Sequence, residues 1–215
     1  MNERYVPAAG IESLTGFYDL GVRLTMRERR WRPGLVQRVV EEKPDVVVDI
    51  GCGTGTLTIP LAEKTGARVI GVDGDRTILG HARRKAGADR VEWHEGLADK
   101  LPVGDAEADV VVSSLVFHHL PRRVKQAALA EARRVLRPDG LLVIADWGRP
   151  HGPGMRAAFF ALQCLDGFEN TEDNRRVLLP HFIEEAGFEA PRRTQRIRTV
   201  VGSFEVLASR PARTR

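Results

Sequence analysis

The sequence lacks the features that would direct a chain to an oxidising compartment or into a membrane. It has two cysteines, Cys52 and Cys164, too few for a disulfide framework, which fits a reducing cytosol. The most apolar stretch, Met155 to Leu165, is well short of the roughly 18 residues that suggest a membrane-spanning helix. The first ten residues do not resemble a signal peptide. We therefore expect a soluble, cytoplasmic protein with no membrane span.

Internal repeats, low-complexity segments and a strong charge imbalance are also absent. Lys and Arg exceed Asp and Glu by only 33 to 29, an excess that does not by itself imply nucleic acid as a partner. A length of 215 residues with 42% apolar content suits one α/β domain with a substantial core. The sequence therefore predicts a single domain over residues 1–215.

The segment VVVDIGCGTGTLTIPL, residues 46–61, carries the most informative pattern. Its apolar start predicts a strand buried in a parallel sheet. Glycines at 51, 53 and 55 follow, and the chain from Thr56 to Lys64 predicts a helix. Glycines allow a sharp turn and let a ligand approach main-chain N–H groups. The pattern predicts a nucleotide-type site at the carboxyl end of a first strand.

The spacing of the glycines distinguishes between two classes of ligand. A dinucleotide fingerprint would need its third glycine at position 56, where Thr56 stands, and this argues against a nicotinamide-dependent oxidoreductase. The segment DIGCGTG, from Asp49 to Gly55, resembles the first motif of the class I S-adenosylmethionine (SAM)-dependent methyltransferases. The resemblance covers about residues 12–209 and is closest to the ubiquinone/menaquinone-type small-molecule methyltransferases.

The resemblance implies an α/β fold with a doubly wound, seven-stranded, mostly parallel Rossmann-like sheet. Strands predicted at Thr194–Val201 and Ser203–Ala208 correspond to the reversed hairpin that closes such sheets. Residues 12–42 are predicted to form an N-terminal helical cap with a solvated basic face, and residues 155–186 a helical insert over the substrate pocket. The implied cofactor is SAM and the implied product is S-adenosylhomocysteine (SAH).

Asp73 is the strongest single candidate for cofactor binding. It ends the second predicted strand, 22 residues beyond Gly51, where an α/β nucleotide site places an acid against both ribose hydroxyls. Asp75 can cap the following helix, which leaves Asp73 available for the ligand.

The family resemblance implies the remaining cofactor residues. The family commonly has an acid that meets the adenine amino group after the third strand, but Leu97 stands there, with the Ala98 amide and Asp99 as candidate substitutes. Ser114 and Leu115 are implied beside the methionine part of SAM. The full predicted set is Asp49, Gly51, Cys52, Gly53, Gly55, Asp73, Gly74, Leu97, Ala98, Ser114 and Leu115.

Three residues are candidates for direct roles in catalysis. His118 and His119 follow the fourth predicted strand. Either could be a general base, or both could be fold residues whose ring N–H groups tie the strand end to the next loop. Tyr18 lies in a segment, FYDL, that resembles a lid over the cofactor, with ordinary packing as the alternative. No metal is predicted, because no carboxylate or cysteine accompanies the histidines at ligand spacing.

The methyl acceptor is predicted to be a small, largely apolar molecule rather than nucleic acid. The insert carries Phe159, Phe160, Leu162 and Phe168, which could line a substrate cavity or belong to the core. Methyl transfer needs no acid or base if the protein aligns the reactants in line. The absence of an evident catalytic dyad therefore does not argue against an enzyme.

The C-terminal segment is the main basis for an alternative function. From Pro191 onwards the chain has seven arginines against one acid, Glu205, which predicts a positive edge. This edge could be a solvated strand face or an anion-binding surface. The alternatives are thus a methyltransferase for RNA or another anionic substrate, and a non-catalytic SAM-binding protein.

Overall fold

The computed structural model describes residues 28–148, 178–198 and 203–213. Within these ranges the strands are β1 (Val46–Ile50), β2 (Arg68–Asp73), β3 (Val91–Glu95), β4 (Ala108–Ser114), β5 (Leu136–Gly148), β6 (Arg192–Arg198) and β7 (Ser203–Ser209). The α-helices described are α1 (Glu28–Glu41), α2 (Thr58–Thr65), α3 (Arg76–Arg83), α4 (Arg122–Val135) and α5 (Leu179–Glu185). Short 3-10 helices lie at Ala88–Arg90 and Phe117–His119.

The strands form one sheet in the order β3-β2-β1-β4-β5-β7-β6. The first five strands are parallel, and β7 lies antiparallel between β5 and β6. The strand order reverses between β1 and β4, and the carboxyl ends of strands at such a switch point are where ligands bind in open α/β sheets. The predicted α/β class, with seven mostly parallel strands and an antiparallel C-terminal strand, is confirmed, and the glycine loop follows β1 at the switch point.

Apolar layers cover both faces of the sheet. On one face, Trp31 and Leu35 of α1 pack with α2 and with alternate residues of β1, β4, β5 and β7. On the other face, α4 and α5 pack against a second set that includes Val48 and Ile50. Because successive strand residues point to opposite faces, Asp49 faces the layer that contains α1 and α2.

Several element boundaries differ from those predicted. Helix α2 begins at Thr58 because the preceding residues continue the glycine turn. The sequence predicts a helix from Arg76 to Ala86, but α3 ends at Arg83, and the N–H of Arg84 donates to the carbonyl of His81, three residues earlier. The sequence RPDG, from Arg137 to Gly140, predicts a turn, but these residues belong to β5, with a register shift opposite β4 that accommodates the extra residues. The sequence predicts a helix from Asn174 to Ala186; among the described residues, α5 covers Leu179–Glu185, and Leu178 lies outside it.

Some predicted features lie outside the described residues. Of the predicted N-terminal cap, the structure describes α1 and the turn after it, and of the insert it describes residues 178–186. No helix in the described ranges is both long and apolar enough to cross a bilayer. Five side chains that were predicted to cover the cofactor or line the acceptor pocket also lie outside the described residues. They are Tyr18, Phe159, Phe160, Leu162 and Phe168.

Arginines of the C-terminal edge are paired with acids of the same chain. Arg193 and Arg196 lie 3.1 Å and 3.2 Å from Oε1 of Glu205, which is 7% exposed. Arg210 lies 2.7 Å from Oε2 of Glu42. The one acid that the sequence shows in this segment thus pairs with two strand arginines, which favours a structural role for these two over anion binding.

Candidate functional site

The glycine loop turns through three left-handed residues and is anchored to β2. Gly51, Gly53 and Gly55 have φ values of 69°, 53° and 75°, which favour glycine because it has no Cβ. The N–H groups of Gly51 and Cys52 donate to the carbonyl of Val72 at 2.8 Å and 3.0 Å. The end of β2 therefore holds the loop in place.

The three glycines have different surroundings. A Cβ at Gly51 would lie 2.3 Å from Cγ2 of Val116, and a Cβ at Gly55 would lie 2.5 Å from the Trp93 ring. A Cβ at Gly53 would meet no atom of the described residues within 4 Å. Packing therefore requires the first and third glycines, whereas Gly53 faces space that no described residue fills and through which a ligand can approach the backbone.

Asp73 connects the glycine loop to the start of α3. Its Oδ2 accepts a hydrogen bond from the N–H of Gly53 at 2.8 Å, and its Oδ1 accepts one from the N–H of Asp75 at 2.9 Å. Burial raises the pKa of Asp73, although these hydrogen bonds oppose the rise. Asp75 caps α3 by accepting from the N–H groups of Thr77 and Ile78, as predicted. Each Asp73 oxygen retains a lone pair with which to accept a ligand hydroxyl.

Asp49 lies beneath the loop and is 1% exposed. Its Oδ2 accepts a hydrogen bond from Oγ1 of Thr58 at 2.7 Å, whereas its buried Oδ1 has no partner among the described residues. Burial raises the pKa of Asp49 to about 7; the charge of Asp73 adds to this, and the Thr58 bond and the charge of Arg32 oppose it. An ammonium group beside Oδ1 would supply both the missing hydrogen bond and a compensating charge. SAM has such a group, so the site fits the implied cofactor.

The segments after β3 and β4 adjoin the loop. Leu115 has a φ of 61°, uncommon for leucine, and its N–H donates to the carbonyl of Ala145. This turn leads into Val116, which packs on Gly51. The N–H of Gly96 donates to the carbonyl of Asp73. The turn after β4 thus adjoins the first glycine, and Gly96, which precedes Leu97 and Ala98, is held beside Asp73.

The rest of the predicted cofactor set lies at the same edge. Cys52 is buried, and burial raises the pKa of its thiol, which makes it unsuited to be a nucleophile. Gly74 directly follows Asp73 at the end of β2. The predicted cofactor residues therefore lie at or just beyond the carboxyl ends of four neighbouring strands: β1, β2, β3 and β4.

His118 and Asp146 make a buried contact between the ends of β4 and β5. Nδ1 of His118 lies 2.7 Å from Oδ1 of Asp146, and the backbone N–H of His118 donates to Oδ2 at 3.1 Å. Burial would raise the pKa of Asp146, but the charge and hydrogen bonds of His118 outweigh it and hold the pKa below its ordinary value. This contact ties two strand ends together. The sequence did not indicate Asp146 as the partner.

His119 stacks on His118 with ring centroids 3.8 Å apart. Its pKa is lowered to about 3, because burial disfavours the charged ring, with smaller contributions from His118 and Lys125. A histidine with so low a pKa accepts protons weakly near neutral pH. Within the described ranges, no group of three His, Cys, Asp or Glu side chains is placed to hold a metal ion.

Replacement of His118 by asparagine is expected to destabilise the protein by about 3 kcal/mol, because it removes one partner of a buried pair. Thermal unfolding measures the change. His181→Asn is the matched control, since His181 forms an exposed pair with Glu185 that should contribute little. If the pH dependence of turnover changed while the melting temperature stayed unchanged, His118 would be a general base and the stability prediction would be wrong.

Comparisons with known proteins agree with this geometry. Residues 47–140 match the family model of a methyltransferase domain. An uncharacterized methyltransferase from Synechocystis sp. is 30% identical over 171 residues, 78% of this chain and 76% of that protein. A demethylmenaquinone methyltransferase from Thermus thermophilus is 37% identical over 138 residues, 62% of each chain. The latter match spans less than two thirds of its relative's length.

A solved structure with a similar fold contains the product of the cofactor. The crystal structure of magnesium protoporphyrin IX methyltransferase from Synechocystis PCC 6803 with bound SAH aligns with a TM-score of 0.70 at 19% identity, covering 96% of this chain and 90% of that one. At this identity the likeness concerns the fold. The family match, the 30% identical relative and the similar fold together show that the chain belongs to the class I SAM-dependent methyltransferases.

Proposed function

We propose that this methyltransferase transfers a methyl group from SAM to a small, largely apolar acceptor of the quinone type. The similarity to a demethylmenaquinone methyltransferase, 37% identical over 138 residues, carries the proposal. A demethylmenaquinone methyltransferase of Deinococcus radiodurans is also similar, at 33% identity over 155 residues. The pairing of Arg193 and Arg196 with Glu205 supports it further, because these two are among the seven arginines that could bind an anionic or polymeric acceptor.

In this proposal each part of the cofactor has partners in the glycine loop and its neighbours. Asp73 accepts hydrogen bonds from the ribose hydroxyls, and Asp49 accepts one from the methionine ammonium group. The backbone at Gly53 approaches the ligand, because no side chain of the described residues occupies that space. The adenine lies against Leu97 and Ala98. The residues beside the methionine part are Ser114, Leu115, Gly51, Cys52 and Gly55.

When bound, SAM supplies a methyl group attached to a positively charged sulfur, and the neutral thioether SAH is a good leaving group. The residues of this chain hold the reactants in line and exclude water, and such positioning can lower a barrier by about 7 to 11 kcal/mol. Of the two histidines, His118 is the better candidate to take a proton. Asp146 orients its ring, whereas the low pKa of His119 makes it a weak base. Tyr18 remains the candidate lid.

The purified protein is expected to bind SAM or SAH, and not NAD or NADP, because its glycine spacing differs from the dinucleotide fingerprint. Calorimetry with each of the four ligands tests the binding. Turnover is then measured as SAH release with a panel of reduced quinones, phenols, amines and RNA. We expect a demethylmenaquinol analogue with a short side chain to be methylated. Turnover with RNA alone would overturn the proposed acceptor while leaving the methyltransferase family unaffected.

A further inference from the structure

A pocket lies between the carboxyl end of β5, the first half of β7 and the start of α5, and we call it the β5–β7 pocket. Its polar lining comes from Asp146 and Glu205. Its apolar lining includes Leu179, Pro180 and Leu207. Strand β5 is the neighbour of β4 in the sheet, and the backbone N–H of His118, after β4, donates to Asp146. The pocket therefore adjoins the strand end beside which the methionine part of SAM is expected.

The carboxylate of Glu205 uses only one of its oxygens within the described part of the chain. Oε1 accepts both ion pairs, from Arg193 at 3.1 Å and from Arg196 at 3.2 Å, and the described residues give Oε2 no hydrogen bond. A Cβ at Gly148 would lie 2.5 Å from Cδ and 2.9 Å from Oε2 of Glu205. The carboxylate thus occupies space that a side chain at 148 would fill, and a carboxylate oxygen with open lone pairs lines the pocket.

A second polar atom beside the pocket also lacks a partner. Ser203 is fully buried and pairs with Gly148 across β5 and β7. Its Oγ has no hydrogen-bond partner among the described residues, which is uncommon for a buried polar atom. Residues two apart in a strand point to the same face, so Ser203 and Glu205 share one. A ligand hydroxyl suits such a pair, because it can donate to a carboxylate and accept from a serine.

The charges around the pocket favour a neutral hydrogen-bond donor over a cation. Glu205 already has its two arginines, and Nδ1 of His118 lies 2.7 Å from Asp146. Both carboxylates therefore have cationic or hydrogen-bonding partners, and a third cation is not needed to compensate them. A ligand carbonyl oxygen beside Oε2 of Glu205 would be repelled, because both atoms carry negative charge. The pocket thus distinguishes a hydroxyl from a carbonyl.

We propose that the β5–β7 pocket binds a hydroxyl group of the aromatic acceptor, with Glu205 as its hydrogen-bond acceptor, so that the enzyme takes its acceptor in the reduced, hydroquinone form. The inference rests on the proposed function, which supplies the quinone-type acceptor. The apolar lining packs on the ring, and a few polar atoms fix its orientation, as in most small-molecule sites. Glu205 is then a specificity residue for the redox state of the acceptor.

Calorimetry under anaerobic conditions, with SAH bound so that no turnover occurs, tests this specificity. The probes are the reduced and the oxidised forms of a demethylmenaquinone analogue with a short side chain. The wild type should bind the reduced form about ten- to a hundredfold more tightly. Glu205→Gln should lose most of this preference, because the arginines hold the amide oxygen and leave the amide N–H group towards the pocket. Glu189→Gln is the matched control, since Glu189 is exposed, and it should keep the preference.

The outcomes separate this inference from the proposed function. A wild-type protein that binds both forms equally, or a Glu205→Gln variant that keeps the preference, overturns the inference alone. Equal weakening of both forms by Glu205→Gln also overturns it, since it would show a general effect on the pocket. If Glu205→Gln does not fold, Gly148→Ala takes its place: its Cβ displaces the carboxylate, and an unchanged preference overturns the inference. A wild-type protein that binds SAH and neither form overturns the proposed acceptor, and this inference with it.

Discussion

Replacement of Asp73 by alanine is expected to weaken SAH binding by about 1.5 to 3 kcal/mol, or about ten- to a hundredfold in Kd. The ribose hydroxyls lose a charged acceptor. The N–H of Gly53 also loses the carboxylate oxygen that holds it at 2.8 Å, so the loop becomes less ordered where it meets the ligand. Both effects act on the same ligand, and calorimetry on the folded variant measures their sum.

The matched control for this substitution is Asp75→Ala. Asp75 caps α3 through the N–H groups of Thr77 and Ile78, and loss of such a cap costs about 1 kcal/mol of stability. The control should therefore melt at a lower temperature and still bind SAH nearly as the wild type does. A folded Asp73→Ala protein with wild-type affinity would remove Asp73 from the cofactor site.

Replacement of Asp49 by asparagine is expected to stabilise the ligand-free protein at pH 8 and to weaken SAH binding at least tenfold. In the folded chain the pKa of Asp49 is raised to about 7 from an ordinary 3.8, mainly by burial. The stability that this group contributes is therefore fully present below about pH 4 and is lost as the pH rises through 7. At pH 8 the carboxylate is a buried charge, and its removal should stabilise the ligand-free protein by about 2 to 4 kcal/mol.

Melting temperatures at pH 5 and pH 8, without ligand, test the stability effect of this substitution. The advantage of the Asp49→Asn variant over the wild type should be larger at pH 8. Asp89→Asn serves as the control because Asp89 is exposed, and it should show no such difference. The binding loss follows because asparagine offers the ammonium group no opposite charge. Destabilisation at pH 8, or unchanged SAH affinity, would contradict the role assigned to Asp49.

The sequence by itself determined the fold class and the cofactor, because both depend on patterns that are local in the chain. The apolar run at 46–50 and the glycines that follow it mark a strand that ends in a tight turn. The distance from Gly51 to Asp73 spans one helix and one strand. The cap at Asp75 involves residues two and three positions away. Such signals require no knowledge of which strands become neighbours.

Only the tertiary structure decided which distant side chains meet. The contact of His118 with Asp146 joins residues 28 apart in the chain. The separate roles of the three glycines depend on Val116, in the turn after β4, and on Trp93, in β3. Helix α1 lies on the face of the sheet to which Asp49 points, which the sequence does not show. A sequence shows the chemical type of each side chain. The order of the strands, and the face of the sheet to which each side chain points, decide which of them come into contact.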